Sequence, residues 1–354
     1  MNPAALARAE IRALKPYASA RALADSAGVL LNANENPWPP AGDGGLNLNR
    51  YPDPQPAALK ARLAAVYGVD ESRLLITRGS DEGIDLLVRT FCRAGSDRVL
   101  VCPPCFGMYA LSARVQDAEV IEAPLIELDG AWRLDGQAVE QAPPCRLYFL
   151  CSPNNPTGNR IEAEVVLGLA RRVADHGLVV IDEAYIEFCQ TPSLADQVAG
   201  QPNLVVLRTL SKAYALAGCR LGAVIADAEV IDLLRRIIAP YPLPTPSVAA
   251  AMAALTPAAL ARQQAQLAAL ERLKAELVAQ LERHPGILQV WPGEANFVLV
   301  RVEDAQRLVG DAFAAGIRLR DQSAQPGLAH CVRITVGSEQ EMQTLADYLR
   351  QWQP

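Results

Sequence analysis

The chain has 354 residues, 51% hydrophobic and 20% charged, with a net charge of −6. That length suits two domains, and the composition excludes a disordered chain, which needs low hydrophobicity and high net charge. No Lys/Arg-rich run marks a nucleic-acid or anionic-membrane surface, and no apolar run reaches the roughly 18 residues of a membrane span.

The opening MNPAALARAEIRALKP mixes Arg, Glu and Lys among its apolar residues, unlike the unbroken apolar region of a signal peptide. A cytoplasmic location is expected. The irregular, Pro-rich LNANENPWPP follows, and residues 1–40 are expected to cross over and pack with the C-terminal unit.

From about 73 to 226 strand, turn and helix alternate. Short apolar runs at 74–76, 99–101, 147–150, 178–181 and 204–207 read as buried strands, with helical spacing at 84–91 and 165–176. Near-continuous apolar strands alternating with helices predict an α/β fold, a mostly parallel sheet covered by helices on both faces. Functional residues of such sheets belong in loops at the carboxyl ends of strands.

The prolines at 240, 242, 244 and 246 forbid regular helix and mark a boundary. Beyond it, 257–284 is rich in helix formers; strands near 296–301 and 331–336 and helices near 304–315 and 338–350 complete a smaller α+β unit. The expected division is 41–245 and 246–354.

Eight cysteines are too sparse for a disulfide scaffold and sit among apolar neighbours, as small buried thiols do. Cys102-Pro103-Pro104-Cys105 has C-x-x-C spacing, but no second pair follows and His176, His284 and His330 are scattered. No metal site is expected.

Neither a G-x-x-x-x-G-K-[ST] nor a G-x-G-x-x-G motif is present. Four strands instead end in polar sequence. Gly79-Ser80-Asp81-Glu82-Gly83 follows the first and precedes a helix expected near Ile84, where backbone amides can hold an anion. Ser152-Pro153-Asn154-Asn155-Pro156-Thr157-Gly158, Asp182-Glu183-Ala184-Tyr185 and Thr209-Leu210-Ser211-Lys212 end the others, the last followed by Arg220. Singly these read as helix caps, turns and a solvated lysine. Together they supply an anion cradle, an amide, a carboxylate, a phenol and an amine at one sheet edge, the groups that pyridoxal phosphate requires.

The stretches LNANENP, NRYPDPQP, RGSDEG, CPPCFGMY, CSPNNPTG, DEAYIEF, RTLSKAYALAG, IAPYPLPTP, LRDQ and RITVG span the chain. In them the sequence resembles the fold-type I pyridoxal-phosphate-dependent aminotransferases, and within these the histidinol-phosphate aminotransferase family. It differs in having Ser80 where a small residue such as Ala is usual and Phe106 where Tyr is common.

The resemblance implies pyridoxal 5'-phosphate carried on Lys212, which then moves the proton between substrate and cofactor. It implies Asp182 at the pyridine nitrogen, Tyr185 and Asn155 at the ring hydroxyl, and Tyr109 stacked on the ring. The phosphate is assigned to Ser80, Asp81, Thr209, Ser211 and Arg220, with Tyr51 reaching the partner's cofactor across a homodimer. Substrate is assigned to Arg320, Arg333, Tyr17, Tyr51 and Asn155. Strand alternation turns Arg333 away from Val332 and Ile334.

The implied reaction converts L-histidinol phosphate and 2-oxoglutarate to imidazole-acetol phosphate and L-glutamate, in histidine synthesis. Three alternatives share these features: a phospho-amino-acid decarboxylase, an aromatic aminotransferase, and a non-catalytic pyridoxal-binding regulator. The last needs a DNA-binding module, for which no basic stripe exists.

Overall fold

The structure, a computed structural model, describes residues 2–17 and 29–353. Strands β1 (Leu74–Thr77), β2 (Arg98–Val101) and β3 (Glu119–Glu122) come first. A small hairpin follows, β4 (Ile126–Leu128) and β5 (Ala131–Arg133), and then β6 (Leu147–Cys151), β7 (Leu178–Asp182), β8 (Leu204–Thr209) and β9 (Gly222–Ile225). Seven of these form one sheet in the order β1-β9-β8-β7-β6-β2-β3, in which only β9 runs against its neighbours.

The expected mostly parallel sheet is therefore present, and its inner strands are apolar on both faces. On β7, Val179 and Ile181 join one core while Leu178 and Val180 join the other. Fully burying each such side chain stabilises the fold by about 1.5–3 kcal/mol. The covering helices are α1 (Ala9–Ala13), α2 (Ala57–Tyr67), α3 (Gly79–Phe91), α4 (Met108–Val115), α5 (Gly136–Gln141), α6 (Ala163–Arg172) and α7 (Ala228–Ile237).

Two helices differ from expectation. Helix α3 starts five residues before Ile84, because Gly79 turns the chain at φ +78° directly after β1. Helix α6 ends at Arg172 rather than at His176.

Beyond the prolines, α8 (Thr245–Ala254) packs on α2, and Arg62 Nη1 donates to Leu255 O at 3.0 Å. Helix α9 (Pro257–Leu281) opens on Thr256, whose hydroxyl accepts from Ala259 N. A second sheet follows, with β10 (Ile287–Trp291), β11 (Phe297–Val302), β12 (Arg320–Asp321) and β13 (Cys331–Thr335) in the order β10-β11-β13-β12, all antiparallel. It is flanked by α9, α10 (Ala305–Ala314) and α11 (Glu339–Gln351).

The N-terminal segment corrects one expectation. Residues 2–14 pack on the large sheet's helices, not on the small unit. Ala4, Leu6, Ala7 and Ile11 join the α3/α7 core, and Arg8 N donates to Thr90 O at 3.1 Å. Their apolar face completes a cover that α3 and α7 leave open. Residues 29–40 are tied to the loop before α2, where Glu35 accepts from Arg50 Nη1 (2.8 Å) and Tyr51 N (2.7 Å).

Among the described residues no helix is long and apolar enough to cross a membrane.

Candidate active site

The carboxyl ends of β6, β7 and β8 meet the start of α3 and the inner face of the β12–β13 pair. A cavity of about 530 Å³ lies between them, lined by Ser80, Asp81, Tyr109, Asn155, Asp182, Tyr185, Thr209, Ser211, Lys212, Arg220, Arg320 and Arg333. Twelve residues expected to act together are thus brought together. Tyr17 and Tyr51 are not. Tyr17 is largely exposed, and Tyr51 stacks on Tyr241 with ring centroids 4.4 Å apart, outside the cavity of its own chain.

Asp182 ends β7 and is 2% exposed. Its carboxylate accepts from Tyr109 Oη at 2.7 Å and from Ala184 N at 3.0 Å, and among the described residues no cation lies in salt-bridge contact. Burial pushes its pKa up to about 6, against the two hydrogen bonds that hold it down. A buried carboxylate in this state gains from a charged N–H placed beside it.

Tyr109 departs from its expected role. Its ring is wholly buried, stacked on Phe149 at 5.0 Å and perpendicular to Phe106, 5.7 Å away. It has no free face on which a ligand could stack, and its hydroxyl anchors Asp182 instead. Phe106 is the partly exposed aromatic on the cavity wall.

The anion cradle is built from close backbone packing. A Cβ on Gly79 would lie 2.8 Å from Arg220 Nη2, and one on Gly222 would lie 2.6 Å from Ser80 N. Only glycine at 79 and 222 brings the first turn of α3 under the guanidinium. Arg220, itself at φ +52°, donates to Asp81 Oδ2 at 3.0 Å and approaches Ser211 Oγ at 3.5 Å. Thr209 plays a different part from the one expected. Its hydroxyl donates to Leu221 O and accepts from Ser211 N, so it shapes the turn.

Lys212 stands opposite, its Nζ 5.6 Å from the centre of the Tyr185 ring. Desolvation by the cavity walls lowers its pKa, and the charges of Arg333 and Arg220 add to the shift. Burial drives the Tyr185 phenol in the other direction, so it stays protonated as a donor. Its ring lies perpendicular to that of Phe297, 5.4 Å away, and Arg333 lies over the Phe297 ring, 5.2 Å from its centre.

Arg333 Nη1 donates to Asn155 Oδ1, while Arg333 Nε is buried and has no hydrogen-bond partner among the described residues. The Asn155 loop is fixed by its neighbours: Asn154 Nδ2 donates to Pro104 O at 2.8 Å, and Gly158 lies against Gly293 too closely for a Cβ on either.

The sequence matches the family model for class I and II aminotransferases over residues 27–349. It is 46% identical over 348 residues to the histidinol-phosphate aminotransferase of Xylella fastidiosa, covering 98% of this chain and 95% of that one. The chain belongs to the histidinol-phosphate aminotransferase family.

The solved histidinol-phosphate aminotransferase from Sinorhizobium meliloti, in complex with pyridoxal-5'-phosphate, matches this aminotransferase with a TM-score of 0.76 at 26% identity. The match covers 90% of this chain and 88% of that one. The L-threonine-O-3-phosphate decarboxylase of Porphyromonas gingivalis shares the fold (TM-score 0.71, 24% identity, 86% and 93% covered). Fold alone therefore does not separate the two chemistries.

Eight residues beyond the expected twelve also line the cavity of this aminotransferase, among them Cys105, Phe106, Gln322 and Gln325. Gln322 was within reach, since it stands two residues after Arg320 and alternation places it on the same face. Gln325 reaches the cavity only through the turn that follows, which periodicity does not foretell.

Proposed function

We propose that this aminotransferase binds pyridoxal 5'-phosphate in the cavity and transfers the amino group of L-histidinol phosphate to 2-oxoglutarate. Imidazole-acetol phosphate and L-glutamate are the products, on the route to histidine. The observation that carries the substrate assignment is Arg320 opposite Arg333 on the cavity wall, with Arg333 Nε buried and unpartnered among the described residues. Two guanidiniums so placed call for an anion, and each can take phosphate or carboxylate through paired N–H groups.

The residues fit the cofactor. A buried carboxylate lacking a cation suits a pyridinium, the Gly79–Ser80 turn with Ser211 and Arg220 suits a phosphate, and a lysine of lowered pKa suits a Schiff base. When bound, pyridoxal phosphate supplies an aldehyde that joins to amines and a ring that takes up the electron pair left at the substrate Cα.

The chain's own groups do the rest. Asp182 holds a proton at the pyridine nitrogen, and Tyr109 keeps that carboxylate in place. Tyr185 and Asn155 donate to the ring oxygen. Phe106, on the cavity wall, would pack against the cofactor ring. The amides of Ser80 and Asp81, the Ser211 hydroxyl and Arg220 hold the phosphate. Lys212 would hold the cofactor through its amine and, when free, its amine would move the proton at the substrate Cα. In this arrangement residues 41–245 hold the cofactor and 246–354 bring the substrate arginines.

Two copies complete the site in our proposal. Segment 29–51 exposes Val29, Leu31, Trp38 and Tyr51, an apolar surface of the kind that marks an interface. A homodimer places Tyr51 at the partner's cavity.

A coupled assay with L-histidinol phosphate and 2-oxoglutarate tests the function. Stoichiometric glutamate and keto product are expected. Carbon dioxide release from a phospho-amino acid without a keto product would replace transamination by decarboxylation, and equal turnover of donors lacking phosphate would favour an aromatic aminotransferase.

A further inference from the structure

We infer that Gln322 is the neutral donor that fits this pocket to a phosphate rather than a carboxylate, and that Gln325 sets its orientation. The inference rests on the substrate proposed above. Gln322 extends β12: its N donates to Cys331 O at 2.8 Å, continuing the ladder beyond the Asp321–Val332 pair. Alternation therefore puts its side chain on the face of Arg320, and Gln322, Arg320 and Arg333 line one cavity.

The Gln322 side chain is 6% exposed, and a buried amide needs partners for both its oxygen and its nitrogen. Its oxygen has one, because Gln325 Nε2 donates to Gln322 Oε1 at 2.9 Å. Its Nε2 has none among the described residues. The amide is thus turned so that its donor end is the one left to a ligand.

The loop behind it holds that orientation. Gln325 N donates to Gln322 O, Leu328 N to Gln325 O, and Cys331 N to Leu328 O, at 3.0–3.1 Å. Leu328 is sunk in the core, and Gly327 lies so close to Trp132 that a Cβ would meet the indole at 2.9 Å.

A carboxylate presents two oxygens in one plane, which a guanidinium fork satisfies. A phosphate monoester presents three in a tetrahedron, so a third donor direction is used only by phosphate. A neutral amide supplies that direction without a third positive charge, which would strengthen carboxylate binding as well. Gln322 thereby separates histidinol phosphate from glutamate, although both meet the same two arginines.

The test compares the two half-reactions of the holoenzyme through the ratio of kcat/KM for histidinol phosphate to that for glutamate. In Gln322→Met this ratio is expected to fall about tenfold, as for one lost hydrogen bond to a charged group. Gln325→Met, which leaves the Gln322 amide free to turn, should lower it in the same direction and carries the test if Gln322→Met does not fold. A ratio within threefold of wild type overturns the inference, including the case where both half-reactions fall together, as a packing role demands.

If wild-type enzyme does not turn over histidinol phosphate, the proposed function fails on its own. Inorganic phosphate and glutarate are then compared as competitive inhibitors of the glutamate half-reaction. A tenfold rise in the phosphate-to-glutarate inhibition-constant ratio in Gln322→Met upholds the role of the amide, and a ratio within threefold overturns it.

Discussion

Arg320 and Arg333 are direct partners across the antiparallel β12–β13 pair, two like charges facing one another on a cavity wall. Such a pair opposes sheet formation. Desolvation lowers the pKa of Arg333, the nearby Tyr185 phenol raises it, and the charge of Arg320 lowers it again. Among the described residues neither arginine meets a carboxylate within 4 Å, so the repulsion is relieved when an anion enters.

Removing one of the two should therefore damage both half-reactions. Arg333→Ala is expected to cost about 2–4 kcal/mol in transition-state binding, roughly a hundredfold in kcat/KM, for histidinol phosphate and glutamate alike. Steady-state kinetics with each substrate check this. If both values stay within a few-fold, the anions bind elsewhere.

Lys212 should be the residue that carries the cofactor. Borohydride reduction of the holoenzyme followed by peptide mapping should place the pyridoxyl group on Lys212. A label on Lys60 or Lys274 would end the assignment. Lys60 is buried on α2, and Lys274 is engaged by Gly293 O and Ala295 O at 2.8 and 2.7 Å.

Much of this architecture was legible because buried parallel strands are continuous apolar runs with polar sequence at their ends. LYFLC, LVVID and LVVLRT each show both features, and Asn155, Asp182 and Lys212 follow from them. What stayed hidden depends on how elements lie against one another. Tyr109 and Phe106 are three residues apart around the start of α4. Spacing does not tell that the Tyr109 hydroxyl bonds Asp182 while Phe106, just ahead of the helix, stays on the wall. The docking of residues 2–14 on α3 and α7 likewise has no periodic signal, since five helical residues carry too few apolar positions to name a partner.

Asp182 should leave its mark on the stability of the cofactor-free protein. Its folded pKa of about 6 exceeds the usual aspartate value near 4, so across that window the folded state holds the proton more firmly. Its contribution to stability is present at low pH and lost as pH rises through 6. Asp182→Asn cannot ionise. It should gain on the wild type by up to about 3 kcal/mol between pH 4 and 6, read from urea unfolding without cofactor. A difference independent of pH would count against a buried, uncompensated carboxylate.

The cradle predicts a backbone-limited position. A Cβ at Gly222 would meet Gly79 C and Ser80 N at 2.6 Å and Arg208 O at 2.9 Å, all main-chain atoms that cannot swing aside. Gly222→Ala should cost about 1–3 kcal/mol of stability and displace the amides that hold the phosphate, weakening cofactor binding. Gly218→Ala is the control, because nothing lies within 4 Å of its added methyl. Cofactor titration of both variants distinguishes a specific cradle from a general intolerance of substitution.

Tyr51 offers the test of a shared site. In its own chain it stacks on Tyr241, and the Glu35 carboxylate accepts from its backbone N–H, so it stays outside the cavity. If it serves the partner, chains of Lys212→Ala and Tyr51→Phe should complement one another when mixed. A two-fold interface exchanges the same segment in both directions. Each hybrid then has one site with both defects and one with neither, and activity per Tyr51→Phe chain rises above that variant alone. If Tyr51 serves its own chain, every site of the hybrid keeps one defect and no rise can occur. Native mass measurement establishes that hybrids have formed, and activity that stays flat in their presence rules out a site shared through Tyr51.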